Sequence, residues 1–339
     1  MSAAGQVYLG ESELVGLLET ILLRAGASAV AARAIAQNCM ACERDGSKSH
    51  GIFRMRGYVA SIRSGWVDAA AVPVVEDCGP AMVRVEAVNG FAQVALEAAK
   101  PLLLDKVRAA GIAIATIRGS HHLSALWPDV EPFAREGFIA LSVVNSFACM
   151  VPYGGHRAVL GTNPIAYAIP RAEPGPIVVD LATSAIPNGD VQMAALAGEL
   201  LPEGVAVDGA GRPTRDPKIV LSEGALVPFG GHKGGALSIL VELLAAGLSG
   251  GFFSYEVDWT GFPGAQTPRT GQTVILIDPE RGHPGSFAGR VQDLVGQLET
   301  AGMPTMPGER RYAARAQAVE RGIPLAPAEL EMLRELAVG

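Results

Sequence analysis

Side chains able to do chemistry gather in four short segments of this 339-residue chain. The first is Ser49-His50-Gly51-Ile52-Phe53-Arg54, with Tyr58 four residues beyond. A histidine moves protons near neutral pH, and an arginine grips a carboxylate through two parallel N–H bonds. Together they suit proton transfer to a small anionic substrate; the structural alternative is a polar loop that closes a helix. The second segment, Gly119-Ser120-His121-His122-Leu123-Ser124, follows a β-branched run. A strand, a Gly/Ser turn and then a helix leave backbone N–H groups aimed at one spot, which suits phosphate. The paired histidines raise the question of a metal, but no carboxylate or cysteine stands at matching spacing, so none is expected. An ordinary turn with capping serines is the alternative here.

The third segment joins Gly161-Thr162-Asn163-Pro164 to Asp180-Leu181-Ala182-Thr183-Ser184, with Asn188 and Asp190 beyond. Either aspartate suits the orientation of a histidine, although Asn-Pro and Asp-rich turns also arise for structural reasons. The fourth is Pro228-Phe229-Gly230-Gly231-His232-Lys233-Gly234-Gly235. Its glycines allow close backbone approach, and a helix N-terminus with Lys233 favours an anion. Gly follows the lysine, so the phosphate-loop spacing GxxxxGK[ST] is missing and kinase or ATPase chemistry is not expected. A diphosphate cradle and a packing loop both remain open.

The elements that must position these groups are legible in outline. Apolar residues at helical spacing predict helices over 11–24 and from Ser28, and a third over 91–109, bent or restarted at Pro101. Gly/Pro punctuation marks residues 57–80. From Gly111 the pattern turns to short β-branched runs at 112–117, 139–144, 165–169, 177–180 and 273–278, with helices after Trp127 and from Gly234. The run 236–248 reads as a buried helix, because Glu242 interrupts it and it is too short to span a bilayer. The tail from Phe287 is helical again, ending in a helix over 328–338. The layout predicted is α/β: residues 1–118 with 290–339 as a mainly helical substrate and dimerisation domain, and 119–289 as the cofactor-binding domain. No GxGxxG follows a strand, so any nicotinamide cofactor must bind on a non-Rossmann scaffold.

Bulk properties exclude several classes. With 49% hydrophobic and 18% charged residues the chain has material for a large core and is no disordered protein. A net charge of −7 and no basic run longer than a pair argue against nucleic acid. No secretory signal is visible, which predicts a cytoplasmic protein. Cys39 and Cys42 form a CxxC, but inside a helical pattern and with no second pair, so reduced thiols are expected rather than a metal or redox site.

Taken in order, SHGIFRMRGY (49–58), GTNPIA (161–166), DLATSA (180–185), GGHKGGALSILVELLAAGLSGG (230–251) and MPGERR (306–311) resemble the malate/L-lactate/ureidoglycolate dehydrogenase family, over nearly the whole chain. Within it, SHHLSALWPDVEPFA (120–134), NGDVQ (188–192), LVPFGGHKG (226–234) and residues 255–264 are most similar to the Δ1-piperideine-2-carboxylate/Δ1-pyrroline-2-carboxylate reductase branch. The resemblance implies NADPH-dependent reduction of a small cyclic imino acid by a homodimer. It implies His50 as proton donor, with Ser49 and Asp190 as its relay, and Arg54, Tyr58, Thr162 and Asn188 around the substrate. The cofactor contacts it implies are His122, Leu123, Ser124, Ala125, Leu126, Asp180, Leu181, Ala182, His232, Lys233, Met306, Pro307, Gly308 and Glu309. A 2-hydroxy-acid dehydrogenase of the same fold, and a non-catalytic cofactor-binding protein, are the competing expectations.

Overall fold

A computed structural model describes residues 5–171, 173–282 and 285–339. Strand β1 (Val7–Leu9) leads into helices α1 (Glu11–Ala25) and α2 (Ala29–Arg44). Gly26 ends α1 at φ 108°, a left-handed cap that glycine adopts without strain. Ser28 caps α2 as expected, its Oγ accepting from Ala31 N at 3.2 Å. Two 3-10 turns, Lys48–His50 and Ile52–Arg54, then feed α3 (Met55–Arg63).

Strands β2 (Val74–Asp77) and β3 (Met82–Glu86), helix α4 (Ala92–Ala110), strand β4 (Ile112–His121), helix α5 (Trp127–Arg135) and strands β5 (Ile139–Val144), β6 (Ile165–Ile169) and β7 (Ile177–Leu181) follow. A smaller lobe holds α6 (Asn188–Ala197), β8 (Ala206–Val207), α7 (Pro217–Ser222) and β9 (Ala225–Leu226). Helix α8 (His232–Glu242) runs on into a π turn (Leu243–Gly247), then come β10 (Arg269–Ile277), α9 (Phe287–Thr300), α10 (Glu309–Arg321), β11 (Ile323–Leu325) and α11 (Pro327–Val338).

Seven strands form one sheet in the order β2-β3-β4-β10-β5-β6-β7. Only β3 and β4 run parallel; every other neighbouring pair is antiparallel. That register rules out a doubly wound parallel sheet, in agreement with the missing glycine fingerprint. One core joins this sheet to α4 and α5 through Val85, Leu103, Ile117, Val130, Phe133 and Leu276. A second core is helical and draws on both ends of the chain: Leu14, Leu18, Ile35 and Met55 meet Ile323, Leu325, Leu330 and Leu333. Strand β1 pairs with β11 to close it. The expected helical unit built from both termini is therefore present.

Three expectations need correction. The sheet takes in β2, β3 and most of β4, which the division at residue 118 gave to the helical part. Strand β2 reads Val-Val-Glu-Asp with both acids exposed, so alternation never declared it a strand. Helix α4 does not restart at Pro101 but continues through it as one element. The run 236–248 is not fully buried: Ser238, Val241, Ala245 and Ala246 face inward, while Leu237, Ile239, Leu240, Leu243 and Leu248 are exposed. A helix apolar all round does not tell which of its faces is covered by its own chain. Cys39 and Cys42 are buried and unpaired in α2, and burial pushes the Cys39 thiol up to about 12, as inert core residues.

Candidate active site

Glu43, buried on α2, shapes the first motif. Its Oε2 accepts from Ile52 N at 3.1 Å and its Oε1 lies 3.3 Å from Lys48 Nζ. Burial raises the Glu43 carboxyl, and these two partners pull it back. Gly51 is the one residue this approach tolerates, because a Cβ there would stand 2.2 Å from Glu43 Oε2. The two 3-10 turns are thereby clamped to α2. Their side chains Ser49, His50 and Arg54 border a cleft of about 300 Å³ between the helical unit and the sheet.

His50 Nδ1 is 3.2 Å from Ser49 Oγ, which fixes the ring and leaves Nε2 free. Burial, then the charges of Arg54 and His122, push the His50 imidazole down to about 3, so it is neutral at neutral pH. Arg54 is 8% exposed and donates from Nη1 to Gln192 Oε1 at 3.0 Å, while its buried Nε has no partner among the described residues. Burial lowers the Arg54 guanidinium from its usual range, opposed by Tyr58, Cys39 and Asp190. The guanidinium also lies close under the backbone of α6, where a Cβ on Gly189 would come within 2.5 Å of Arg54 Nη2.

The sheet side is built around Asp180, at the end of β7. Its Oδ2 accepts from Leu126 N at 2.8 Å and Trp127 N at 2.9 Å, the backbone entering α5. Burial raises this carboxyl, and the two N–H groups and Arg311 oppose the shift. Arg311, from α10, lies over the Trp127 ring at 5.4 Å and donates to Val178 O at 2.7 Å; its buried Nε also lacks a partner among the described residues. Thr162 is held by its carbonyl, which accepts from Thr183 N at 2.8 Å and Thr183 Oγ1 at 3.0 Å. Two guanidiniums with unpartnered buried N–H groups border one cleft. That donor set fits an anionic ligand. Among the described residues no cluster of three metal-ligating side chains occurs.

Of the residues singled out from sequence, Ser49, His50, Arg54, His122, Leu123, Ser124, Ala125, Leu126, Thr162, Asp180, Leu181, Ala182 and Asn188 border this cleft. Others do not. Tyr58 is fully buried, its ring edge-on to Phe91 at 5.7 Å and its hydroxyl accepting from Gln93 Nε2 at 3.4 Å. Asp190 has no hydrogen bond to His50; its charge acts on Arg54 instead. His232 and Lys233 are exposed at the start of α8, outside the lining. Met306 is buried against α9, Pro307 O accepts from Val178 N, and Glu309 pairs with Arg171, so residues 306–309 brace β7 rather than line the cleft. Gln192, Arg311, Asn145, Phe147 and Gln266 border the cleft and were not singled out. Gln192 had a signal, standing one helical turn after Asn188. Arg311 had none beyond its place in MPGERR.

The family model described as malate/L-lactate dehydrogenase matches residues 10–334. A relative from Pseudomonas syringae pv. tomato, named Δ1-pyrroline-2-carboxylate/Δ1-piperideine-2-carboxylate reductase, is 58% identical over 96% of this chain and 95% of its own. A Pseudomonas putida protein of the same name is 56% identical over the same shares of the two chains. The crystal structure of Δ1-piperideine-2-carboxylate reductase from Pseudomonas syringae superposes with a TM-score of 0.95 at 57% identity, covering 97% of this chain and 99% of that one. With its mixed sheet, its two-ended helical core and matches that run almost from end to end, the chain belongs to the malate/L-lactate dehydrogenase family of oxidoreductases.

Proposed function

We propose that this protein reduces cyclic imino acids, Δ1-piperideine-2-carboxylate and Δ1-pyrroline-2-carboxylate, to L-pipecolate and L-proline with NADPH. The observation that carries the reading is a proton-transfer histidine and an unsaturated guanidinium in one cleft, His50 beside Arg54. The names of the relatives at 58% and 56% identity supply the substrate class.

Reduction of C=N needs a hydride at C2 and a proton at nitrogen. The hydride is the chemistry a reduced nicotinamide supplies when bound. Arg54 holds the carboxylate through its free N–H groups, which fixes the imine carbon in place. Ser49 orients His50 through Nδ1, so Nε2 faces the ring nitrogen. The bound carboxylate offsets the charge of Arg54, the second cause of His50's low affinity for protons, so His50 takes up its proton together with substrate. That proton then passes from His50 Nε2 to the ring nitrogen. Thr162 and Asn188 border the substrate, and Asp190 tunes Arg54. The residues that would hold the nucleotide are His122 to Leu126, Asp180 to Ala182 and Arg311.

A homodimer belongs to the same reading. The exposed row Leu237, Leu240 and Leu243 on α8 and its π turn, with Leu248 just beyond, is an apolar face suited to a second copy. Four unpaired cysteines fit a reducing, cytoplasmic setting, and among the described residues no helix is long and apolar enough to cross a membrane.

The test follows NADPH absorbance as the two cyclic imines, pyruvate and oxaloacetate are each added. Consumption with the imines alone is expected. Consumption with the keto acids alone would hand the site to 2-hydroxy-acid chemistry, which the family's name keeps as the second reading. His50→Ala should lower turnover about 10²–10⁴-fold, the usual size of a general-acid contribution.

A further inference from the structure

The cleft has two imidazoles, and they are held differently. His50 leans on a serine hydroxyl, His122 on a carboxylate. His122 Nε2 lies 3.3 Å from Asp129 Oδ2, with side chains 4% and 6% exposed. The same oxygen accepts from Gln272 Nε2 at 2.7 Å, and that amide also donates to Ser142 Oγ at 3.1 Å. Asp129 stands in the first turn of α5, where a helix favours negative charge. A carboxylate only accepts, so it draws an N–H from each neighbour. An uncharged imidazole that donates through Nε2 keeps a lone pair on Nδ1. Among the described residues no group pairs with Nδ1 of His122, and the residue borders the cleft.

We propose that Asp129 is a positioning residue: it locks His122 in the Nε2–H form, so that Nδ1 accepts a hydrogen bond from an N–H or O–H group of the nucleotide bound in the cleft. The inference rests on the NADPH reading above and adds the polarity of one contact to it. It separates two histidines that sequence treats alike, since Ser49 offers His50 a hydroxyl that serves either tautomer, whereas Asp129 admits only one.

Asp129→Asn tests the lock. Gln272 Nε2 claims the amide oxygen, the amide NH₂ turns to His122, and Nδ1 becomes a donor facing a donor on the ligand. NADPH titrated into the protein by fluorescence should then bind about 10-fold more weakly, the scale of one mismatched hydrogen bond. In the His122→Ala background the same change should cost less than about 2-fold, because the two residues act as a unit. Imidazole ¹⁵N spectra of the unsubstituted protein, with the His122 signals identified by their loss in His122→Ala, should show the Nε2–H pattern without any ligand. That spectrum needs neither a folded Asp129 variant nor a correct nucleotide assignment. An Nδ1–H or doubly protonated pattern overturns the lock, and so does Asp129→Asn binding NADPH as tightly as the parent. Failure of the parent itself to bind NADPH, with the Nε2–H pattern intact, would instead sink the cofactor reading and leave the locked tautomer standing.

Discussion

His121 and His122 are neighbours on the chain and end in opposite surroundings. His121, the last residue of β4, turns to the back of the sheet and is fully buried. Its Nδ1 meets Thr267 Oγ1 at 3.0 Å, its Nε2 meets Asn89 Oδ1 at 3.0 Å, and its ring is edge-on to Trp66 at 5.5 Å. Both nitrogens are satisfied, and no ligand has room. His122 turns the other way into the cleft, with one nitrogen spoken for and one free. The different neighbours of the two rings, Thr267 and Asn89 for one and Asp129 for the other, decide which imidazole is core and which borders the cleft. The same division separates Tyr58, sealed and bonded to Gln93, from Arg54, buried with an N–H left over. His121 has both ring nitrogens paired, whereas His122 Nδ1 and Arg54 Nε have no partner among the described residues.

The sharpest way to break that comparison is to remove the incomplete group. Arg54→Met should lower kcat/KM for the cyclic imino acids by about 10³-fold, since a buried charge-assisted clamp is worth several kcal/mol. Its melting temperature should hold or rise, because a buried cation with an unpartnered N–H is costly to the empty fold. A large loss of stability would show that Arg54 is a core residue after all. His121→Ala should do the reverse. It leaves a cavity and orphans Asn89 and Thr267, which costs about 2–4 kcal/mol in denaturant unfolding while kcat/KM stays within a few-fold.

How much of this was legible follows from the same residues. The motif 49–54 was readable because its chemistry and spacing are local, and the helical cores were readable from period. The start of β4 was also in the sequence, but its length, which ends the strand between His121 and His122, was not. The β-branched run stops at Ile117, while Arg118-Gly119-Ser120-His121 continues the ladder against β10 with a bulge between Thr270 and Gln272. Strand β10 itself enters the middle of the sheet, between β4 and β5, from more than a hundred residues away, and no local pattern fixes such a partner. For that reason Gln272, and with it the pairing of Asp129, was invisible. Arg311 reaches Asp180 across 131 residues in the same way. Tyr58 fell on the right helical face for Arg54 but lies a turn deeper, where α3 meets Phe91.

Smaller changes sharpen the picture. Gly189→Ala leaves both histidines and Arg54 in place chemically, yet its Cβ would come within 2.5 Å of Arg54 Nη2. The guanidinium must swing away, so KM for the imino acid should rise about 10-fold with kcat less affected, a cost near one misplaced hydrogen bond. Unchanged KM would mean that α6 yields instead.

The smallest effect is a slope with pH. Burial pushes the His121 imidazole from its ordinary 6.5 down to about 3, with Arg269 adding to the shift and the Thr267 carbonyl opposing it. Between those values the unfolded chain binds a proton that the folded chain refuses, so stability present above pH 6.5 drains as pH falls toward 3. From pH 7 to pH 6 this one group should remove about 0.7 kcal/mol. His121→Asn keeps a polar side chain against Thr267 and cannot titrate, so its unfolding free energy should fall less over that interval than the parent's. His50 is lowered to about 3 as well, but it faces the cleft, and a bound carboxylate on Arg54 gives its proton a partner. Adding a substrate-like carboxylate should therefore weaken the acid slope that belongs to His50 and leave the share from His121 untouched. Equal slopes in the parent and His121→Asn would mean that the back of β4 admits water, and the contrast between the two neighbouring histidines would fail.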